Sequence, residues 1–312
     1  MKVTTLGLAA GTAALILTNP AVATLTGIVV VAEPQAPDLV VCNVYAQFSE
    51  ADDHLVAVSG TASSPLEVSV TGGELYQHPF GSDTAPFTHL LVIFPELAWD
   101  TFVTIGLGQN PGADNTILMP PWPGFEPSTL TMTDSGWFIT PSDTQGAPDD
   151  DGRVLLGRFT YDGTALDGRM LIQFITGGVH MQAAVGFCHG NQSGPCIEGD
   201  LDGNNLVTID DFLALLADWG PCKGCPADID GDGEVGINDF LTMLGNWTTF
   251  SVVPTGAGVD ADLNRDGVIN VADLLILLQC QGPATGDCEV ADIDGDGSVG
   301  ATDLALLLAN WS

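Results

Sequence analysis

Short apolar runs alternate with clusters of Gly, Pro, Asp and Ser over residues 24–190. The runs are rich in Val, Ile, Thr and Phe, which favour extended backbone, and they lack sustained helical spacing. Such runs between turn residues are typical of β-strands. The predicted strands are 24–31, 39–48, 54–58, 66–70, 90–94, 99–107, 154–161, 170–175 and 180–187. The pattern therefore predicts an N-terminal all-β domain, built as a sandwich or a jelly roll.

The pattern changes near residue 190, where a stretch rich in Gly, Asn, Ser and Pro predicts a linker at 191–199. After it, apolar residues recur at helical spacing and predict short helices at 212–219, 240–247, 274–281 and 304–311. Each run follows an acidic motif, D-x-[DN]-x-[DN], and these motifs begin at Asp200, Asp228, Asp262 and Asp292. A second linker is predicted at 250–261. The C-terminal part is therefore a small all-α region of two repeat pairs, 200–249 and 262–312.

Each acidic motif places side-chain oxygens at alternate positions, which is the arrangement of a calcium-binding loop. Calcium takes about six to eight oxygen ligands, and a loop of about twelve residues supplies side chains at positions 1, 3, 5 and 12. The predicted ligands are Asp200, Asp202, Asn204 and Asp211; Asp228, Asp230, Asp232 and Asp239; Asp262, Asn264, Asp266 and Asp273; and Asp292, Asp294, Asp296 and Asp303. The sequence thus predicts up to four Ca²⁺ ions, numbered here as sites one to four.

Positions 6 and 8 of the loops support this interpretation. Position 6 requires a sharp turn, and it holds Gly233, Gly267 and Gly297 in three loops and Asn205 in loop one. Position 8 is apolar in all four loops and can pack between paired loops. Asn204 lowers the negative charge of loop one, and Asn205 makes its sharp turn less easily than glycine. Site one is therefore expected to bind calcium most weakly.

The net charge limits the classes of partner that the protein can bind, and the N-terminal segment indicates its cellular location. Six Lys and Arg stand against forty Asp and Glu, a net charge of −34 that disfavours nucleic acid and anionic membranes as partners. Residues 1–23 predict a signal peptide, with Lys2, an apolar run at 6–17 and cleavage after Ala23. A membrane anchor is the alternative, but the run is short for a membrane span. The protein is therefore expected to be secreted or held at the cell surface.

The seven cysteines of an exported chain favour disulfides. Cys280 and Cys288 lie in the connector between repeats three and four, where the end of one helix meets the approach to the next loop, and are the best predicted pair. Cys222 and Cys225 occupy the equivalent connector, and a zinc site there is disfavoured because no second such motif follows. The remaining cysteines, at 42, 188 and 196, compete for the third bond, and the odd count leaves at least one unpaired.

A loop with Asp at position 12, followed by one helix and then duplicated, resembles a type I dockerin over residues ~198–312. The resemblance implies that paired repeats fold around calcium and dock onto cohesin domains, often in proteins of polysaccharide breakdown. The chain departs from the family in carrying two pairs. It also departs at loop positions 10 and 11, where a Ser-Thr pair is common in the family. Here these positions are Ile209-Asp210, Ile237-Asn238, Val271-Ala272 and Ala301-Thr302.

Three functions remain open, and the first is favoured. In the first, the chain is a secreted non-catalytic calcium-binding protein whose sandwich is a binding or surface module and whose array docks to a cohesin-like domain or another secreted or cell-surface protein. The second is a carbohydrate-active enzyme of glycoside hydrolase type, which needs two carboxylates across a cleft. The third is a structural surface or matrix protein. For the second, the candidate carboxylates are Glu74, Asp83, Glu96 and Asp100.

Overall fold

The computed structural model describes residues 24–34, 38–190, 195–256 and 259–312. The predicted signal peptide lies outside the described residues, as do parts of both predicted linkers. Within the described ranges, no helix is long and apolar enough to cross a membrane. The predicted division into a β-sheet N-terminal part and a small helical C-terminal part is confirmed.

The N-terminal part consists of strands with few helical turns. The strands are β1 (Leu25–Pro34), β2 (Val40–Phe48), β3 (His54–Gly60), β4 (Leu66–Thr71), β5 (Phe102–Val103), β6 (Ile117–Leu118), β7 (Thr129–Met132), β8 (Ser135–Phe138), β9 (Arg153–Tyr161), β10 (Ala165–Thr176) and β11 (Val179–Gly190). A short helix, α1 (Thr88–Leu91), and 3₁₀ helices at Pro95–Trp99 and Thr144–Gly146 lie among them.

The strands form two antiparallel sheets that face each other. The smaller sheet has the order β1–β2–β9–β5. The larger has the order β14–β11–β10–β3–β8–β6, with β4 paired to both β10 and β7. Its edge strand β14 (Phe250–Val252) comes from the C-terminal part. Side chains from both sheets, among them Ile28, Phe159, Trp137 and Phe174, meet in one buried core. Burying these faces is the main stabilisation of the domain.

The predicted strand at 90–94 is wrong, because this segment forms the end of α1 and the turn that follows. Val92 and Ile93 are exposed here, so no sheet face buries them. A short apolar run fits a helix or a strand equally well by periodicity, and only neighbouring elements decide between them. The predicted strand at 99–107 is likewise reduced to Phe102–Val103, which pairs with β9.

The C-terminal part contains four helices of nine residues each. They are α2 (Ile209–Ala217), α3 (Ile237–Gly245), α4 (Val271–Gln279) and α5 (Ala301–Ala309). Short ladders join the repeats within each pair: β12 (Gly220–Pro221) with β13 (Glu234–Val235), and β15 (Gly282–Pro283) with β16 (Ser298–Val299). A 3₁₀ helix at Gly286–Ala291 precedes loop four. The first pair encloses an apolar core, in which Phe212 and Phe240 approach to 5.2 Å between ring centroids. The core of the second pair continues into residues of the larger sheet.

The segment predicted as the second linker contains β14 (Phe250–Val252), which extends the larger sheet. Phe250 pairs with Ala183 and Val252 with Met181, both on β11. A strand edge presents unpaired N–H and C=O groups, and β14 supplies partners for those of β11. The chain thus returns to the sandwich between the two repeat pairs.

Three disulfides are formed: Cys188–Cys196, Cys222–Cys225 and Cys280–Cys288. The predicted pairing of Cys280 with Cys288 is confirmed, and the equivalent connector of the first pair is bonded as well. Cys42 is the unpaired cysteine; it is buried, and burial raises the pKa of its thiol to about 12. A thiol in that state is neutral and unreactive at neutral pH.

Candidate metal centres

The Asp at position 12 closes each loop onto its helix. Each helix begins at loop position 10, three residues earlier than the apolar pattern predicts, so this Asp stands in the first helical turn. Asp239 accepts hydrogen bonds from the N–H groups of Ile229 (2.7 Å), Asp230 (3.1 Å) and Gly236 (2.8 Å), which joins the start of the loop to the helix cap. Asp211 and Asp303 accept the same three bonds, and Asp273 accepts two of them. All four position-12 carboxylates are buried.

The Asp at position 1 shapes the turn of each loop. It accepts a bond from the position-6 N–H, with lengths of 2.8, 3.1, 2.8 and 3.0 Å in loops one to four. The predicted left-handed turn at position 6 is present in every loop, with φ of 64° at Asn205 and 94°, 90° and 94° at the three glycines.

Position 4 is also left-handed in every loop, which the sequence analysis did not anticipate. Its residues are Gly203, Gly231, Arg265 and Gly295, with φ between 61° and 79°. The glycines at three of the four equivalent positions were the available signal.

The structure brings the predicted ligands at positions 1, 3 and 12 together in three of the four loops. In loops one, two and four, one carboxylate oxygen from each of positions 1, 3 and 12 lies within 4.8 Å of the other two. In loop three, position 3 holds the amide of Asn264, whose oxygen accepts the N–H of Asp266 at 2.9 Å. The position-5 side chains accept the position-7 N–H in all four loops, at 2.8–2.9 Å. Backbone N–H groups therefore orient the oxygens while lone pairs remain for a cation.

Two of the buried ligand oxygens in the described loops lack a hydrogen-bond partner. Asp228 Oδ1 and Asp292 Oδ1 are buried and unpartnered, although Oδ2 of each carboxylate accepts a backbone N–H. A desolvated carboxylate oxygen without a partner is costly, and a bound cation would remove that cost. Loops two and four therefore fit a calcium ion well.

Crowding of carboxylates changes their acidity. Burial raises the pKa of Asp200, and the neighbouring Asp211 and Asp202 raise it further against the lowering effect of backbone N–H bonds. Burial also raises the pKa of Asp294 and Asp303. At Asp239, burial acts in the same direction, but several backbone N–H bonds outweigh it and lower the pKa. In loops one and four, neighbouring carboxylates therefore repel one another, and a divalent cation would offset this repulsion.

Loop one is also part of the interface with the sandwich. The N–H of Ile28 on β1 donates to Asn204 O at 2.9 Å, and Asn205 Nδ2 donates to Ile28 O at 2.9 Å. Leu206, at position 7, is buried in the sandwich core, whereas Val268 at the same position of loop three is exposed. A β-carbon at Gly27 would lie 2.8 Å from Asn204 O, so glycine permits this approach. These contacts explain why loop one departs from the other three at positions 6 and 7.

The other candidate sites do not use the loop ligands. Cys222 and Cys225 lie near Asp218, but their disulfide removes them as thiolate ligands. Glu74 lines a cleft of about 430 Å³ with Tyr76, Phe125 and Glu126, and the other three carboxylates named from the sequence do not line it.

Those three carboxylates have separate surroundings. Asp83 accepts a bond from Trp122 Nε1 at 2.8 Å, and Glu96 is exposed on a 3₁₀ helix. Asp100 is buried and accepts the N–H of His78 at 2.7 Å. Burial raises the pKa of Asp100 to about 6.

Residues 260–310 match the family model of the dockerin type I domain. The match spans loops three and four with α4 and α5, and it supports a calcium-binding docking module in this part of the chain. Loops one and two repeat the hydrogen-bond pattern of the matched loops. No curated protein matches the chain. No solved structure matches it either.

Proposed function

We propose that the chain is a secreted or cell-surface protein without catalytic activity, in which a docking array binds up to four calcium ions. The dockerin match at 260–310 supports the calcium-binding and docking roles. The proposed division is a signal peptide at 1–23, a sandwich acting as a binding or surface module at 24–190, a linker at 191–199, repeats one and two at 200–249, a connecting segment at 250–261, and repeats three and four at 262–312.

The observation that carries the proposal is the set of carboxylate clusters with buried, unpartnered oxygens at Asp228 and Asp292. In each loop the side chains at positions 1, 3, 5 and 12 are the proposed ligands, with a carbonyl at position 7. Calcium would supply the positive charge that the loops lack. Extracellular calcium modules typically bind at about 10⁻⁴ to 10⁻³ M, a concentration suited to protein outside the cell.

Calorimetric titration of the full chain with calcium tests the metal sites. We expect D228A/D292A to lose the two corresponding binding events while the remaining sites still titrate. The exposed Asp218, at the end of α2, provides the matched control, and D218N should titrate like the wild type. Unchanged stoichiometry in D228A/D292A would show that the clusters are not calcium sites.

The proposed partner is a cohesin-like domain or another secreted or cell-surface protein, because dockerin domains generally bind cohesins. Positions 10 and 11 lack the Ser-Thr pair common in the family, so we expect a partner with an apolar contact surface at these positions. Immobilised cohesin domains of several classes, probed with full-chain protein in calcium and then in chelator, test this. Calcium-dependent capture supports docking; no capture by any class would favour a surface or matrix role.

A carbohydrate-active enzyme is the second candidate, and one observation favours it. The cleft at Glu74 combines aromatic rings, suited to stacking on sugars, with two glutamates. Incubation of the full chain with a polysaccharide panel tests this function. Hydrolysis that disappears in E74Q would replace the non-catalytic proposal.

A further inference from the structure

The four repeat helices carry an apolar stripe at loop positions 10, 14 and 17, which α2 and α3 expose in full and α4 exposes at positions 10 and 14. At position 10, Ile209, Ile237 and Val271 are 55%, 59% and 52% exposed, whereas Ala301 of α5 is 3% exposed. At position 17, Leu216 and Leu244 are exposed, and Leu308 of α5 is fully buried. The stripe of α5 is therefore covered by another part of the protein, whereas the stripes of α2 and α3 are exposed.

The outer face of the larger sheet covers the apolar stripe of α5. Val56 and Ala57 of β3 and Phe138 of β8 share one buried cluster with Leu304 and Leu308 of α5. The register between β3 and β10 shifts at this point, so that Leu55 and Val58 face the sandwich core while Val56 and Ala57 face α5. Strand β3 is apolar on both faces because it packs against two different elements.

Polar contacts fix the position of α5 on the sheet. Gln173 Nε2 of β10 donates to Ala305 O at 3.1 Å. Asp134, in the turn between β7 and β8, accepts the N–H of Ala301 at 2.9 Å, which caps the helix from the other domain. A β-carbon at Gly300 would lie 1.9 Å from Asp134 Oδ1, so glycine at loop position 9 leaves room for the Asp134 carboxylate at the helix cap. At the equivalent Gly236 of loop two, a β-carbon would meet nothing within 4 Å.

We infer that the second repeat pair is docked onto its own sandwich through the helix face that the other repeats present outward. The larger sheet is thus the internal partner of α5, and this face of repeat four is closed to external proteins. On α2 and α3 the same stripe is exposed, so only the second pair uses it for contact within the chain. The inference rests on the docking function proposed above, but its test uses no docking partner, so either can fail alone.

Hydrogen–deuterium exchange of the full chain in calcium, followed by mass spectrometry, tests the internal docking. Ala305, at position 14 of α5, is compared with Leu275, the exposed residue at the same position of α4. We expect A305R to speed exchange about tenfold or more in peptides covering β3, β8 and α5, because the arginine separates the helix from the sheet. L275R should leave the same peptides at wild-type rates.

A second pair of variants covers the case in which A305R fails to fold. We expect G300T, which displaces Asp134 from the α5 cap, to speed exchange in α5 and β8. G236T, which adds the same side chain where the space is open, should leave both elements unchanged. Wild-type exchange of β3 and β8 in both A305R and G300T would overturn the inference. Equal effects of the test and control variants would overturn it as well.

Discussion

Asn205 is part of both a calcium loop and the contact between that loop and the sandwich. Its backbone makes the left-handed turn of a calcium loop, with φ of 64°, while its side chain donates to Ile28 O on β1. A glycine would make the turn more easily but would lose the bond to the sandwich. From the sequence, this residue predicts only a weaker turn, since the bond partner lies 177 residues away in the chain.

The order of calcium affinities follows from the position-1 carboxylates. Asp200 Oδ1 already accepts the N–H groups of Gly203 and Asn204, whereas Oδ1 of Asp228 and of Asp292 is unpartnered. We therefore expect D228A and D292A each to weaken their own site by at least about tenfold, and D200A to affect only the weakest phase of the titration. Calorimetry of the three single variants measures this. Loss of the tightest phase in D200A would contradict the order.

Asp100 should make the stability of the sandwich depend on pH. Burial raises the pKa of this carboxyl to about 6 in the folded protein, so the folded state binds a proton that the unfolded state has already released. The contribution of Asp100 to the free energy of unfolding is therefore fully present below the unfolded pKa. It is lost as pH rises from about 4 through about 6, by at most roughly 3 kcal/mol. Denaturant unfolding of wild type and D100N between pH 4 and pH 8 measures it.

The variant D100N should lack this part of the pH dependence, because an amide does not titrate. The exposed Asp38 provides the control, and D38N should follow the wild-type profile. A D100N profile identical in slope to the wild type would show that Asp100 is not the source.

At the scale of elements, the repeat helices depend on their loops. Nine residues are too few for a stable isolated helix in water, so stability must come from packing within each pair. That packing requires closed loops, and closure of crowded carboxylates requires a cation. Calcium binding and helix formation are therefore expected to be one coupled event.

Chelation should remove most of the helical signal of the full chain while the strand signal remains. We expect α5 to keep the most protection from exchange, because the sheet covers it, and α2, α3 and α4 to lose theirs. Far-UV circular dichroism, combined with peptide-resolved hydrogen exchange, measures both. Equal helical signals with chelator and with calcium would mean that the helices are preformed.

The sequence predicted elements well where a pattern repeats or alternates locally. Strands β1 to β4 and β9 to β11 follow their apolar runs, and four equivalent loops predicted four equivalent helices. It did not predict β6 and β8, because segments of two and four residues carry little pattern. The apolar run around Val56 predicted a strand but not the second layer over it, since the covering helix lies far along the chain.

At the scale of the whole molecule, the two parts are not independent. From sequence alone, one expects calcium to fold residues 200–312 and hardly to affect residues 24–190. In the structure, Leu206 is buried in the sandwich core, β14 completes the larger sheet, and α5 covers that sheet. Calcium that orders these elements should therefore also stabilise the sandwich.

Differential scanning calorimetry of the full chain measures this coupling. At a calcium concentration about a hundred times the dissociation constant, each occupied site adds about 2.7 kcal/mol to the folded state. We expect the unfolding temperature of the sandwich to rise by several degrees with calcium. The variant L206A removes the buried contact that loop one makes with the sandwich core, and it should reduce this rise. A sandwich transition at the same temperature with calcium and with chelator would show that the two parts unfold separately.

The return of the chain through β14 also has a mechanical consequence. Repeats one and two leave the sheet at the end of β11 and rejoin it at β14, the strand paired with β11. The first pair thus lies between two neighbouring strands and is attached to the same sheet at both of its ends. A pull on a protein bound to this pair would be shared between two covalent connections, one of them reinforced by Cys188–Cys196. A docking unit with two covalent connections should withstand a larger pulling force than one with a single flexible linker.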